Sequence, residues 1–272
     1  MEIKAADVAK LRKMTGAGMM DCKKALTDAA GDFEKAKDII REKGKMIANK
    51  RADRDASEGY MSSKIIGNKG YILCLACETD FVAKNDSFAL HAEELLQIAI
   101  DNDAKDLDSL LAITVKGTTV KDMVTGLSGS IGEKIELPFY ARVEAPMVAS
   151  YVHMNKKLGT LVGFSCVLDA AVAHDVAMQA TAMAPVSIDK DDIDPKILAK
   201  ELEIGMEQAR AEGKPEQMLE KIAQGKVAKF VKENTLMNQS LVKDNKMTVS
   251  EFIRKSCPDV KIIAYQRFSL ND

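Results

Sequence analysis

Among the 272 residues, the group best suited to chemistry is Cys74-Leu75-Ala76-Cys77. A C-x-x-C pair can shuttle a disulfide or supply half of a zinc set. Here it lies in the apolar run Tyr71–Cys77, which reads as a strand. Strand residues three apart point to opposite faces, so the two sulfurs could share one metal only by breaking the strand. The three histidines, His91, His153 and His174, have no acid, nucleophile or second ligand at a spacing that makes a catalytic or metal set. His153, beside Lys156 and Lys157, is the one position where a general base is conceivable. Gly16-Ala17-Gly18 opens like a dinucleotide fingerprint, but Asp21 stands where the third glycine belongs and a helix precedes it. The sequence contains no G-x-x-x-x-G-K-[ST] phosphate loop. The expectation is a protein without catalytic residues, metal or cofactor of its own, acting on another molecule.

Charge narrows the kind of molecule. Lys plus Arg is 39 and Asp plus Glu is 41, a formal net charge of -2. A nucleic-acid-binding chain usually carries a basic excess, so the expected partner is a protein. The second reading is an RNA- or ribosome-associated accessory protein, favoured by the basic stretch from Lys43 to Arg54. Five cysteines (Cys22, Cys74, Cys77, Cys166, Cys257), odd in number and irregular in spacing, argue for reduced thiols and a cytoplasmic address. The N-terminus does not read as a secretory signal. No apolar run approaches the ~18–20 residues that cross a bilayer, so no membrane is expected.

The elements that must position any site follow from periodicity. Residues 1–47 read as three short helices: one through Val8, Leu11 and Arg12, one from Met19 to about Ala30, and one burying Phe33, Ala36, Ile39 and Ile40. The stretch 43–58 reads as a charged linker, helical at its start. Tyr60–Ile66 and Tyr71–Cys77 around Gly67-Asn68-Lys69-Gly70 make a hairpin signal, followed by helices near 87–100 and 119–131. A second hairpin (Val148–Met154, Gly159–Leu168) and helix (171–183) follow, with Tyr151 and Gly159 in places comparable to Tyr60 and Gly70. This reads as a diverged duplication. Pro195 and Pro215 open two helices of an antiparallel hairpin, with Leu198, Leu202, Gly205, Met206 and Ala209 facing Met218, Leu219, Ile222, Val227 and Phe230. A strand (236–242), a helix (248–256) and a strand (260–270) close the chain. The fold class is α+β with antiparallel sheets.

Two segments stand out physically. In Leu11-Arg12-Lys13-Met14-Thr15-Gly16-Ala17-Gly18-Met19-Met20-Asp21-Cys22-Lys23-Lys24-Ala25-Leu26, two adaptable thioethers sit at a helix start. The expectation is one in the bundle core and one exposed. In Thr79-Asp80-Phe81-Val82-Ala83-Lys84-Asn85-Asp86, Thr79 or Asp80 can cap a helix and Phe81 can staple it. The other reading of that segment is an exposed carboxylate next to an exposed aromatic wedge.

Both segments resemble the signature sequences of translation elongation factor Ts of the bacterial type. Ile131-Gly132-Glu133, Ser150-Tyr151-x-His153, Leu158-Gly159-x-Leu161-Val162 and Gly213-Lys214-Pro215 are similar as well, so the resemblance runs along essentially the whole chain. Longer members continue into a C-terminal module; this sequence ends at Asn271-Asp272, and contacts from that module are not expected. Glu78 stands where some members have glutamine.

The resemblance implies a UBA-like three-helix docking domain at 1–50, a linker at 51–57, a first α+β unit at 58–146, and a second at 147–272 with a helical-hairpin insertion at about 195–234. It implies a guanine nucleotide exchange factor that binds elongation factor Tu, GDP-bound or nucleotide-free, disturbs its Mg2+ site and releases GDP. Thr79, Asp80, Phe81 and Val82 would dislocate the Mg2+. Leu11, Met19, Met20, Cys22, Lys23, Ile131, Gly132 and His153 would contact the partner. A homodimer through the core or the helical hairpin is the further possibility.

Overall fold

The computed structural model describes residues 3–271. Helix α1 (Ala5–Thr15) ends at Gly16, whose left-handed backbone returns its N–H to the Arg12 carbonyl at 2.8 Å. Helix α2 (Met19–Asp28) unwinds through Ala30 and Gly31. The Asp32 carboxylate then accepts from the Glu34 and Lys35 N–H groups and starts α3 (Phe33–Lys50). Val8, Leu11, Ala17, Cys22, Ala25, Leu26, Ala29 and Ala36 form the small core of this bundle.

Residues 43–50, the start of the charged stretch and expected to be helical, continue α3 to Lys50. The reason is tertiary. The far half of α3 lies on a later helix, α7, where Gly44 meets Gly126 and Gly129. Ion-paired Arg41 and Asp122 join the same two helices.

The first α+β unit begins with β1 (Glu58–Ile66) and β2 (Lys69–Cys77), paired antiparallel from Glu58 opposite Cys77 to Ile66 opposite Lys69. Then come α4 (Asp80–Ala83), α5 (Asp86–Asp101), α6 (Leu107–Ala112), the two-residue strands β3 (Thr114–Val115) and β4 (Thr118–Thr119), and α7 (Val120–Ile131). The unit closes with β5 (Glu136–Glu144) beside β2, in the order β1-β2-β5. Pro138 disguises β5 as a loop in the sequence. It is tolerated because β5 is an edge strand and its register breaks between Cys74 and Ala76, opposite the proline.

Strand β2 is buried on both faces. Tyr71, Leu73, Leu75 and Cys77 share a core with Phe88, Leu95 and Leu96 of α5, while Ile72 and Cys74 belong to a separate cluster against the second sheet. The two thiols of the C-x-x-C pair therefore lie on opposite sides of one sheet. Burial pushes each up to about 12.

The second unit repeats the plan with β6 (Met147–Val152), β7 (Leu158–Phe164) and α8 (Ala170–Met183). Helices α9 (Pro195–Ala211) and α10 (Glu216–Asn234) fold back on each other through Gly205, Ala209, Leu219 and Ala223; Met218, expected in that seam, is exposed. The chain ends with β8 (Ser240–Leu241), β9 (Asp244–Thr248), α11 (Val249–Arg254) and β10 (Ile262–Ser269), the last lying beside β7 in the order β10-β7-β6. The strand expected over 236–242 is mostly absent. Leu236 and Met237 are buried in a crossing segment whose N–H groups bond to the Ser187 and Ile188 carbonyls at 3.0 and 2.9 Å.

The two sheets pack face to face. A Cβ on Gly70 would lie 2.6 Å from Val148, and one on Gly159 would lie 2.3 Å from Met61. Phe139 and Phe268 stack at 4.7 Å in the same layer. The fold also brings together the sulfurs of Cys166, after β7, and Cys257, after α11, although 91 residues separate them.

Candidate functional site

The loop leaving β2 is built from its hydrogen bonds. Thr79 is extended, and its hydroxyl accepts the Val82 N–H at 3.4 Å, so it N-caps the four-residue helix α4. Asn85 caps α5 in the same way from Ser87. Between the two caps, Asp80 and Phe81 are held on a short turn. Phe81 is 85% exposed, so the staple reading of this residue does not hold. Val82 packs against the core beneath and anchors the turn. Asp80 pairs with Lys84 at 2.6 Å, and that hydrogen bond holds its carboxyl below the usual carboxylate range.

Below the loop lies Glu133. Its carboxylate accepts from the Thr79 hydroxyl at 2.6 Å, the Thr79 N–H at 3.0 Å and the Glu78 N–H at 3.1 Å. It can reach them because α7 ends at Gly132 with φ 84°, a left-handed turn that folds the chain back. The neighbouring Glu78 carboxylate accepts the Lys134 N–H at 2.5 Å and pairs with Arg51 at 2.8 Å. The Lys134 N–H foremost, and Arg51 after it, hold Glu78 below its ordinary value.

The expected partner contacts divide. Met19 and Met20 are both exposed, at 52% and 74%, which corrects the expectation that one fills the core. The helix starts at Met19 itself, and its inward positions go to Cys22, Ala25 and Leu26. Leu11 and Cys22 are wholly buried, so their side chains build the bundle and are not on its surface. Lys23 is exposed. Ile131 and Met19 line one cleft of about 590 Å³ between the bundle and the first unit, with Arg12, Lys13, Ser87 and His91.

His153 stands apart from that cleft. It directly follows β6, with its N–H on the Leu158 carbonyl and its Nδ1 3.3 Å from the Tyr151 hydroxyl. Its neighbour Met154, 88% exposed, lines a second groove with Tyr60, Asp80, Lys84 and Lys156. Among the described residues, no group of three or more His, Cys, Asp or Glu is arranged to hold a metal ion. No described helix is long and apolar enough to cross a membrane.

Two residues central to this arrangement, Glu133 and Arg51, were not among the expected site residues. The available signal for Glu133 was an acid directly after a helix-ending glycine. For Arg51 there was none, because its partner Glu78 is 27 residues away.

Comparison with known proteins accounts for the same segments. The family model described as Elongation factor TS matches residues 78–272. The chain is 46% identical to "Elongation factor Ts" of Christiangramia forsetii over 273 aligned residues, covering 99% of each chain. It is 45% identical to the protein of that name from Cytophaga hutchinsonii, again over 99% of each. For the one from Porphyromonas gingivalis, identity is 42% over 100% of this chain and 99% of the relative. A doubly capped loop carrying Thr79 to Val82, a small helical bundle beside it and full-length identity of this order lead to one assignment: the chain belongs to the elongation factor Ts family.

Proposed function

We propose that the chain is a guanine nucleotide exchange factor for elongation factor Tu. It binds the GDP-loaded GTPase, displaces Mg2+ and lets GDP leave so that GTP can enter. The observation that carries this reading is the Phe81 side chain, 85% exposed on a turn capped at both ends. A large aromatic in water has a standing drive toward an apolar pocket, and a turn already held by caps at both ends has less conformational freedom to lose on docking.

The three-helix bundle docks through Met19, Met20 and Lys23, with Leu11 and Cys22 holding those side chains in place from inside. Ile131 extends the contact across the cleft, Gly132 shapes the turn behind the loop, and His153 meets a second part of the partner. Phe81 wedges into the GTPase beside the nucleotide, and the Asp80 carboxylate disturbs the polar network around Mg2+. Without that ion the phosphate charge of GDP is poorly neutralised, and the nucleotide departs.

Energetically this is a linkage cycle. A factor that binds the empty GTPase more tightly than the GDP form is weakened by GDP in the same ratio. Burying one Phe is worth about 1.5–3 kcal/mol. At about 1.4 kcal/mol per decade, Phe81 supplies roughly ten- to hundredfold of the coupling. The test is release of a fluorescent GDP analogue from elongation factor Tu by stopped flow. Acceleration proportional to factor concentration, and opposed by excess Mg2+, supports the proposal. No acceleration by folded protein overturns it.

A further inference from the structure

We infer that Glu133 is the positioning residue of the exchange loop, the group that holds Phe81 in its wedge orientation; this rests on the exchange reading above. Beyond its two caps and the Val82 anchor, little within the loop itself holds its shape. Helix α4 is four residues long and has no fully buried residue, and an isolated turn of that length does not persist in water. What persists is the Glu133 carboxylate, which collects the Thr79 hydroxyl and the N–H groups of Glu78 and Thr79.

The hydroxyl links the two parts. Thr79 donates to Glu133, which leaves its oxygen lone pairs oriented to accept the Val82 N–H. The line Glu133–Thr79–Val82 therefore sets the first turn of α4, and Asp80 and Phe81 are the residues enclosed by it. Hydrogen bonds to a charged acceptor are about twice as strong as neutral ones, which suits a carboxylate here better than an amide. The Glu78 carboxylate, bound to the Lys134 N–H and Arg51, fixes the same stem from its other side. Glu133 does not act on the GTPase. Its effect is to spare the loop the entropy of finding the wedge conformation at the moment of contact.

The experiment compares full-length wild-type protein with Glu133→Ala and Thr79→Val. It reads two quantities: amide hydrogen exchange of the peptide spanning 78–86, and the maximal rate and half-saturating concentration for release of the GDP analogue. Glu133→Ala is expected to speed exchange at the Glu78, Thr79, Val82 and Ala83 amides at least tenfold while the rest of β2 and α5 stay protected. The maximal release rate should fall at least tenfold with a smaller change in half-saturation. Thr79→Val should reproduce the loop effect in part.

Wild-type protection of the loop in Glu133→Ala overturns the inference, and so does a maximal rate within twofold of wild type. If Glu133→Ala does not fold, Glu133→Gln, which keeps a carbonyl acceptor, should fall between wild type and Thr79→Val by both readouts; wild-type values in it overturn the inference as well. Should the wild-type chain itself leave GDP release unchanged, the exchange reading fails, and loop protection alone still decides whether Glu133 holds the loop.

Discussion

Gly129 faces Gly44 so closely that a Cβ on Gly129 would lie 2.5 Å from the Gly44 Cα. Backbone rests on backbone where α3 of the bundle crosses α7 of the first α+β unit. This contact, with the Arg41–Asp122 and Arg51–Glu78 pairs, places Met19 and Met20 relative to the Phe81 loop. Gly129→Ala should force the helices apart at a cost of about 1–3 kcal/mol. Gly126 is the control, since a Cβ there meets nothing within 4 Å. Gly126→Ala should be neutral or stabilising by about 0.4–1 kcal/mol. Thermal unfolding of both variants checks this, and equal Tm values would mean that the crossing yields without strain.

Phe81→Ala should leave the fold untouched, because an exposed side chain of this kind contributes within about 0.5 kcal/mol. The variant should still bind elongation factor Tu but release GDP at least tenfold more slowly. Stopped-flow exchange alongside a binding titration separates the two effects. Exchange at the wild-type rate would remove the wedge from the mechanism.

With both methionines exposed, the double variant Met19→Ala, Met20→Ala should keep its helical circular dichroism and Tm while losing affinity for the GTPase. A loss of about tenfold corresponds to about 1.4 kcal/mol of docking energy. Unchanged affinity in a calorimetric titration would move the bundle's contact surface elsewhere.

Glu78 gives a pH signature. Its folded-state pKa lies below its unfolded value, so the carboxylate stabilises the fold at neutral pH. That contribution is complete above the unfolded glutamate value of about 4.3 and is lost as pH falls through the depressed folded value. The Tm difference between wild type and Glu78→Gln should therefore be constant from pH 8 to about pH 5 and shrink below that. A difference that grows on acidification would contradict the Lys134 and Arg51 contacts.

Much of this was legible in the residues. The paired hairpins, the helix after each, the proline-opened helical hairpin and the opposed faces of Cys74 and Cys77 all follow from local periodicity. Strand β5 was hidden by Pro138, whose edge position only the sheet reveals. The segment 236–242 carries strand-like residues that are buried for a different purpose. At the site, Thr79 to Val82 were visible as a segment, but Phe81 could be read as staple or wedge until its exposure was known. Glu133 and Arg51 act across 54 and 27 residues of sequence, and the Cys166–Cys257 pair across 91, distances at which spacing carries no signal.

The packing of Gly70 against β6 and β7 is mirrored by Gly159 against β1 and β2. Each sheet offers the other the same notch and receives the same kind of filling. This is the self-complementarity of a twofold symmetric dimer, written here within one polypeptide. Either half by itself would leave Met61, Ile72, Val148 and Leu161 facing water. Each sheet is thus the other's shelter from water, while away from that seam the first unit carries the loop with Phe81 and the second the long helical hairpin.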